Sequence, residues 1–301
     1  MHRRTLLHVL LRTLASAGAA GLLAACGRGR STPPAAAPTL DAVGAVAPDA
    51  KEVLSVVSGS FEQLTGKARP FAFGLVGSDN KPLTGADVKV WAVPAAGGDP
   101  AGPYPAAFHE IPGQPLGLYL AEVDIARPGP TSFVAVTSDG RAGADAVQVA
   151  TPETSKLAAP GRAAIAVPTP TVADPMGMTR LCTASPACGM HEISLDQALR
   201  DRRPVMLTFA TPAYCMTAVC GPSVQVLDQV RTSRDWAEVA FVHVEIYADA
   251  GQTFSAPVKQ WNLPSEPWLF AIARDGRIAD RADGPLLTLP DRVAAMTARI
   301  R

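Results

Sequence analysis

Short runs of alternating apolar and polar residues occupy the chain between positions 51 and 149. Because side chains on a strand alternate between its two faces, this pattern predicts strands with one buried face. The Gly, Pro, Asp and Asn residues between the runs predict turns. The four runs are PFAFGLVG (70–77), ADVKVWAV (86–93), GLYLAEVDI (117–125) and TSFVAVTS (131–138). In the third run we expect the alternate residues from Tyr119 to Ile125 to share the buried face, and the pattern as a whole predicts an all-β sandwich.

Predicted helices and strands begin to alternate near position 190. Ser194 and Gln197 have the spacing of a capping box, which predicts a short helix over SLDQALRD. The nearly continuous apolar run RPVMLTFA then predicts a strand of a buried parallel sheet. The remaining predicted elements are a helix after the cysteine loop, a strand at 239–247, a hairpin of strands at 268–273 and 276–282, and a helix at 291–300.

Two segments rich in Pro and Ala divide the 301 residues. The first, residues 27–50, lacks an amphipathic period and is predicted to be a tether. The second, residues 151–180, is predicted to be a linker. We therefore expect one domain over residues 51–150 and another over residues 181–301.

The first 26 residues have a basic beginning, an apolar stretch and small residues before Cys26, which predicts an export signal. The apolar run is shorter than the ~20 residues that span a bilayer, which disfavours a transmembrane helix. Leu23-Ala24-Ala25-Cys26 resembles the lipobox of bacterial lipoproteins, which implies cleavage before Cys26 and lipidation of its thiol. The expected location is the extracytoplasmic face of the cell membrane, held there by the lipid anchor. Arg3-Arg4 resembles a twin-arginine signal and leaves the export route open.

The charge balance argues against nucleic-acid binding, and the cysteine count favours disulfides. Basic and acidic residues balance at 27 each, so no electrostatic footprint for nucleic acid is expected. With Cys26 set aside, four cysteines remain between positions 182 and 220. An even number of cysteines outside the cytoplasm favours disulfides.

Cys215 and Cys220, in FATPAYCMTAVCGP, are separated by four residues. Five steps of a regular helix rotate a side chain by about 500°, so a disulfide between them requires a partly non-helical segment. Pro222 indicates that the helix begins near Cys220, where the helix N-terminus lowers a thiol pKa. A loop this short adds only roughly 2 kcal/mol of stability, which favours redox exchange over a purely structural bridge. The spacing leaves open which sulfur is the nucleophile.

The C-terminal region, roughly residues 190–301, resembles the thioredoxin superfamily. The resemblance rests on the buried strand that leads into the cysteine pair, the later Glu-Pro-strand-Asp-Gly-Arg segment and the final helix. It implies that Cys215 attacks a disulfide of an exported protein, that Cys220 resolves the mixed disulfide, and that Pro267 is the cis-proline facing them. The family's usual spacing is Cys-x-x-Cys, from which this pair departs. The first domain resembles an immunoglobulin-like sandwich, so the expected fold class is multi-domain, an immunoglobulin-like sandwich followed by an α/β thioredoxin-like fold.

Two alternatives remain for the other candidate ligands. Cys182 and Cys188 are predicted to form a structural disulfide, with an electron relay to Cys215 and Cys220 as the alternative. No cofactor is the primary expectation, but Met, Cys and His residues concentrated between 176 and 191 suit Cu(I). Copper chaperones of the Sco type also have a widened cysteine pair and a distant His, which would make Cys215, Cys220 and His243 the copper ligands. A docking lipoprotein without catalysis is the remaining alternative.

Overall fold

The computed structural model describes residues 39–215 and 217–301. The predicted signal peptide, the lipidation residue Cys26 and the first part of the tether lie outside the described residues. Among the described helices, none combines the length and apolarity needed to cross a membrane. A short helix, α1 (Thr39–Val46), lies within the segment predicted to be a tether and packs on the first sheet through Ala42 and Val43.

The first sheet contains nine strands in the described chain. They are β1 (Glu52–Val53), β2 (Ser55–Ser58), β3 (Glu62–Leu64), β4 (Gly66–Val76), β5 (Val88–Pro94), β6 (Ala101–Glu110), β7 (Gly117–Ile125), β8 (Gly129–Thr137) and β9 (Arg141–Ala150). Their order is β1-β9-β8-β5-β6-β7-β4-β2, with β3 also paired to β9. β1 and β3 run parallel to β9, and the other pairs are antiparallel.

The sheet curls until its two ends nearly meet. β1 and β2 lie at opposite ends of the strand order, yet only Leu54 separates them along the chain. The Leu54 N–H donates to the carbonyl of Ala142 in β9 at 2.7 Å, so this residue bridges the gap. The sheet therefore wraps around a core of its own.

Stacked aromatic rings fill that core. The Phe71 and Phe133 ring centroids are 4.2 Å apart, and the Phe73 and Tyr119 centroids are 5.5 Å apart. The predicted buried face of β7 is confirmed, because the alternate residues from Tyr119 to Ile125 are all buried.

The second sheet has four strands in the order β11-β10-β12-β13. Its elements are α2 (Leu195–Arg200), β10 (Val205–Phe209), α3 (Cys220–Ser233), β11 (Ala240–Val244), α4 (Ala256–Trp261), β12 (Trp268–Ile272), β13 (Ile278–Asp283), a 3₁₀ turn (Gly284–Thr288) and α5 (Pro290–Arg299). β10 and β11 are parallel, whereas β12 is antiparallel to both β10 and β13. Every residue of β10, β11 and β12 is buried, since helices pack on both faces of this sheet.

This architecture corrects the predicted fold class. The described chain is mostly β, with a nearly closed nine-stranded sheet, a four-stranded sheet and few helices, and all of it belongs to one compact unit. The prediction of a multi-domain chain, an immunoglobulin-like sandwich followed by an α/β thioredoxin-like fold, is therefore wrong. Alternation identifies the buried face of a strand but not which strands share a sheet, so one curled sheet was taken for two. The apolar run at 203–210 predicted a strand of a parallel sheet, whereas only one pair of strands in the four-stranded sheet, β10 and β11, is parallel.

A buried ion pair joins the two sheets. Arg281 of β13 contacts the carboxylate of Glu62 of β3 at 2.5 Å, and both side chains are largely shielded from solvent. The hydroxyl of Ser155 donates to the same carboxylate at 2.6 Å, and Arg281 donates to the carbonyl of Ala158 at 2.9 Å. The segment that follows β9 therefore takes part in the junction.

A second set of contacts lies at the end of β13. The Asp283 carboxylate accepts a hydrogen bond from the N–H of Phe61 at 2.6 Å. Gly284 follows with φ at +56°, and a Cβ there would collide with the carbonyl oxygen of Gly59. The Gly284 N–H donates to the carbonyl of Pro267 at 3.0 Å. These contacts place the first sheet beside the loop that leads into β12.

Candidate functional site

Cys215 and Cys220 form a disulfide at the start of α3, with their Cα atoms 6.1 Å apart. Helix α3 begins at Cys220, as the position of Pro222 predicted. The described residues between the end of β10 and Cys220, which are 210–215 and 217–219, are not helical, and this allows the two sulfurs to meet. Cys220 is fully buried, whereas Cys215 is partly exposed. An incoming thiol therefore reaches Cys215 first.

The helix start also affects the thiolate that reduction would release. Peptide dipoles give a helix N-terminus a partial positive charge, which lowers the pKa of a thiol placed there. Cys220 is the first residue of a 14-residue helix, so its sulfur occupies that position. The geometry suits Cys220 as the leaving group when the disulfide opens.

Two polar groups lie beside the disulfide. The Cys215 sulfur is 3.3 Å from the Thr217 hydroxyl. A carboxylate oxygen of Glu266 lies within 4.8 Å of both sulfurs. The next peptide bond, Glu266–Pro267, is cis, and Pro267 is buried at the start of β12.

Two depressions share Thr217 and Glu266, the two polar groups beside the disulfide, in their walls. The first, of about 260 Å³, is lined by Tyr247, Phe254 and other apolar residues of the second sheet and its loops. The second, of about 370 Å³, lies between the two sheets and is lined both by Leu116 of the turn between β6 and β7 and by Val219 of the disulfide loop. Apolar depressions of this kind can hold the side chains of an extended peptide.

A second cluster contains Cys182, Cys188, His191 and His243, with one ligand atom from each within 4.8 Å of the others. The two sulfurs are 3.6 Å apart and belong to free thiols. The Cys188 sulfur lies 3.4 Å from His191 Nε2 and 3.3 Å from His243 Nδ1. Both histidines are buried, and both cysteines are partly buried.

Backbone contacts hold this cluster together. His243 lies in β11, and its N–H donates to the carbonyl of Met190 at 2.9 Å. The Thr183 N–H donates to the buried carboxylate of Glu245 at 2.6 Å. The loop that carries Cys182, Cys188 and His191 is therefore attached to the edge strand of the second sheet.

Close contact among these groups shifts their pKa values. The neighbouring Cys188 thiol, followed by the imidazoles of His191 and His243, lowers the pKa of the Cys182 thiol. Burial opposes protonation of His243, but Cys182 and the charge of Glu245 raise its pKa overall. One negative charge on the sulfur pair is therefore favoured.

The structure brings some predicted site residues together and separates others. Cys215 and Cys220 form a pair, and Pro267 follows the glutamate beside them. Cys182 and Cys188 are adjacent but lack the predicted covalent bond. His243 joins that second pair, so Cys215, Cys220 and His243 do not form the copper site suggested by the Sco-type resemblance.

Sequence reasoning missed two features of these sites. The role of Glu266 has no local signature, because its position beside the sulfurs depends on how β12 pairs with β10. The Met, Cys and His residues between 176 and 191 were predicted to suit Cu(I), but His243 was assigned to the other cysteine pair, so its combination with Cys182, Cys188 and His191 was missed.

Comparisons with known proteins assign neither a family nor a function. No protein-family model matches the sequence, and no curated protein matches it. Among solved structures, the filamin domain of Lin-41 is 12% identical, with 32% of this chain and 91% of that domain covered and a TM-score of 0.23. Domains 4 and 5 of the S-layer protein SbsC are 15% identical, with 33% and 46% covered and a TM-score of 0.21. The C-terminal domain of ZirS is 4% identical, with 49% and 94% covered and a TM-score of 0.19.

Proposed function

We propose that the protein is a thiol-disulfide oxidoreductase that is anchored to the extracytoplasmic face of the cell membrane through Cys26 and acts on exported proteins. The observation that carries the proposal is the asymmetric disulfide at the start of α3. One sulfur, on Cys215, is partly exposed, and the other, on Cys220, is buried at the helix N-terminus. A purely structural bridge has no need of this asymmetry.

The exchange has two steps. A substrate thiolate attacks the Cys215 sulfur, and the bond to Cys220 breaks with its electron pair remaining on Cys220. A second substrate thiolate then attacks the substrate sulfur of the mixed disulfide, and Cys215 leaves as a thiolate. The substrate gains a disulfide and the protein gains two electrons and two protons. The reverse steps reduce a substrate disulfide, and a second protein dithiol or disulfide restores the starting state.

The surroundings of the disulfide support this chemistry. The two apolar depressions can hold a substrate chain so that its sulfur approaches Cys215. The start of α3 stabilises the thiolate that leaves in the first step. The first sheet forms part of one depression, so in this proposal it contributes to substrate binding.

The first test is the reduction potential of the Cys215/Cys220 pair, measured by equilibration in glutathione buffers and mass-spectrometric counting of free thiols. We expect a potential between about −120 and −270 mV, the range of exchange catalysts. A potential below about −300 mV is typical of a structural bridge and would contradict the proposal.

A trapping experiment identifies the nucleophile. The variant Cys220→Ser leaves Cys215 without its resolving partner, so we expect it to retain a mixed disulfide with glutathione or with an exported protein. The matched variant Cys215→Ser leaves only a buried thiol, and we expect it to react roughly tenfold more slowly. Equal rates for the two variants would show that exposure does not select the attacked sulfur.

A further inference from the structure

The cluster of Cys182, Cys188, His191 and His243 has the spacing of a tetrahedral metal site. For zinc, bond lengths of about 2.3 Å to sulfur and about 2.0–2.1 Å to nitrogen set tetrahedral edges of about 3.8 Å between two sulfurs and about 3.6 Å between sulfur and nitrogen. The observed distance between the two sulfurs is 3.6 Å. Three of the four distances between a sulfur and an imidazole nitrogen lie between 3.3 and 3.9 Å, and the fourth is within 4.8 Å.

The tautomer of His243 also fits metal binding. Its Nε2 lies 3.1 Å from the carbonyl oxygen of Ala210, which can only accept a hydrogen bond, so Nε2 carries the proton. The lone pair of the neutral ring is then on Nδ1, the atom that faces both sulfurs. A hydrogen bond from the second ring nitrogen to a carbonyl is the usual support of a metal-binding histidine.

We propose that these four residues bind one Zn²⁺ ion. Two thiolates and two imidazoles in tetrahedral arrangement favour zinc among the common metals. Four protein ligands leave no open position, so the site is structural rather than catalytic. This inference does not depend on the proposed exchange at Cys215 and Cys220, because the two sites share no residue.

The ion has a clear structural task. It joins the loop that carries Cys182, Cys188 and His191 to His243 in β11. Thr183, beside the first ligand, accepts a hydrogen bond from the N–H of Ala213 at 3.1 Å. The zinc loop therefore supports the chain segment that leads to the disulfide.

Zinc binding would also keep the thiols of Cys182 and Cys188 out of the disulfide exchange proposed for Cys215 and Cys220. Zinc-bound thiolates are engaged as ligands and are poor partners for disulfide exchange. Cys182 and Cys188 would then stay reduced while Cys215 and Cys220 are joined in a disulfide. Without zinc, two adjacent thiols in an oxidising compartment would form a disulfide with each other.

The test uses the full mature chain, purified without chelator and analysed for metal content. We expect one zinc ion per chain that persists through gel filtration. Addition of Co²⁺ to the chelated protein should give the intense visible bands of tetrahedral thiolate-bound cobalt. If the wild-type protein instead gives the weak visible bands of octahedral cobalt, the proposal is overturned. This measurement needs no variant, so it remains decisive if the ligand variants fail to fold.

Variants assign the ligands. His191→Gln and Cys188→Ser should each weaken zinc binding by more than about 100-fold. Loss of a residue that only supports a ligand through a hydrogen bond weakens binding by about 10- to 100-fold. The matched control His109→Gln changes a histidine in β6, outside the cluster, and should bind zinc normally. A Cys182–Cys188 disulfide in protein purified with excess zinc, or retention of copper in place of zinc, would overturn the assignment.

Discussion

The four cysteines of the described chain form one bonded pair and one unbonded pair, and the groups around the sulfurs account for the difference. Among the described residues, the cluster of Cys215 and Cys220 contains the carboxylate of Glu266 but no imidazole. Cys182 and Cys188 lie against two imidazoles, which favour thiolate and metal chemistry. The neighbours of each sulfur therefore decide which chemistry each pair can perform.

Asp283 provides a pH-dependent prediction at this scale. Burial raises its pKa to about 6 from 3.8, although contacts with Phe61, Ser60 and Arg281 act in the opposite direction. The folded state then binds a proton at a higher pH than the unfolded state. Stability contributed by this group rises as pH falls from about 6 towards about 4, because protonation removes a buried charge.

We expect the variant Asp283→Asn to lose this dependence. The difference in unfolding free energy between wild type and variant should change by about 1 kcal/mol between pH 7 and pH 5, as measured by urea denaturation. The control Asp99→Asn, at an exposed aspartate, should keep the pH profile of the wild type. Parallel profiles for the wild type and Asp283→Asn would contradict the prediction.

Most elements of the second sheet could be predicted as elements from local sequence. The strands at 268–273 and 276–282, the final helix and the start of α3 near Cys220 are all confirmed with small changes in their bounds. The helix over 194–201 is also confirmed as α2, but its capping box does not form. The Ser194 hydroxyl instead donates to the Asp196 carboxylate and accepts a hydrogen bond from the N–H of Thr169. Thr169 lies 25 residues earlier in the chain, so this contact depends on the tertiary fold.

Two long strands of the first sheet were missed. β6 contains Pro103 and Pro105, which lack the N–H that a strand normally donates, and none of its residues is fully buried. β9 begins with the small residues of RAGADA, which have weak strand preference. Pairing with neighbours overrides these weak local preferences, and the sequence pattern cannot show that pairing.

The turn after β13 provides a prediction at the scale of an element. Gly284 and Gly276 both have positive φ, at +56° and +76°. A Cβ at Gly284 would collide with the Gly59 carbonyl, whereas a Cβ at Gly276 would meet nothing within 4 Å. Gly276→Ala should therefore cost about 1 kcal/mol from backbone strain alone, and Gly284→Ala about 2–4 kcal/mol because overpacking is added. Urea denaturation measures both, and equal costs would show that the close approach to Gly59 relaxes freely.

At the scale of the whole molecule, the sequence predicted strands in both regions but not how the sheets are built or joined. The ion pair between Glu62 and Arg281 links residues 219 positions apart, and no local pattern indicates such a pair. The cluster of Cys182, Cys188, His191 and His243 also depends on long-range packing, because the position of β11 brings His243 to the cysteines. Functional residues that are close in sequence could be identified, whereas those brought together by long-range packing could not.

The buried ion pair predicts strong coupling between the sheets. Arg281→Met leaves Glu62 as an uncompensated buried charge and should cost about 3–5 kcal/mol of unfolding free energy. The double variant Glu62→Leu/Arg281→Met should recover much of that loss, because no buried charge remains. Chemical denaturation of the two single variants and the double variant measures the coupling.

An exposed ion pair is the matched control. Lys67 contacts Asp124 at 2.7 Å, but the lysine side chain is 88% exposed. Lys67→Met should change stability little, since solvent screens exposed pairs. Additive losses at Glu62 and Arg281, or a comparable loss at Lys67, would be inconsistent with coupling through the buried pair.

The near-closure of the first sheet also determines the order in which it can fold. Within the described residues, β1 and β3 pair only with β9. Glu52 therefore cannot pair with Arg141 until Arg141, which lies much later in the chain, has been synthesised. As the ribosome extends the chain, β4 can pair with β2, and β6, β7 and β8 can each pair with a strand already made, while the edge that β9 will close stays open. Contacts so distant along the chain slow folding, because the intervening loop must close before they form. Synthesis of the chain through residue 150 is thus the earliest point at which this sheet can close.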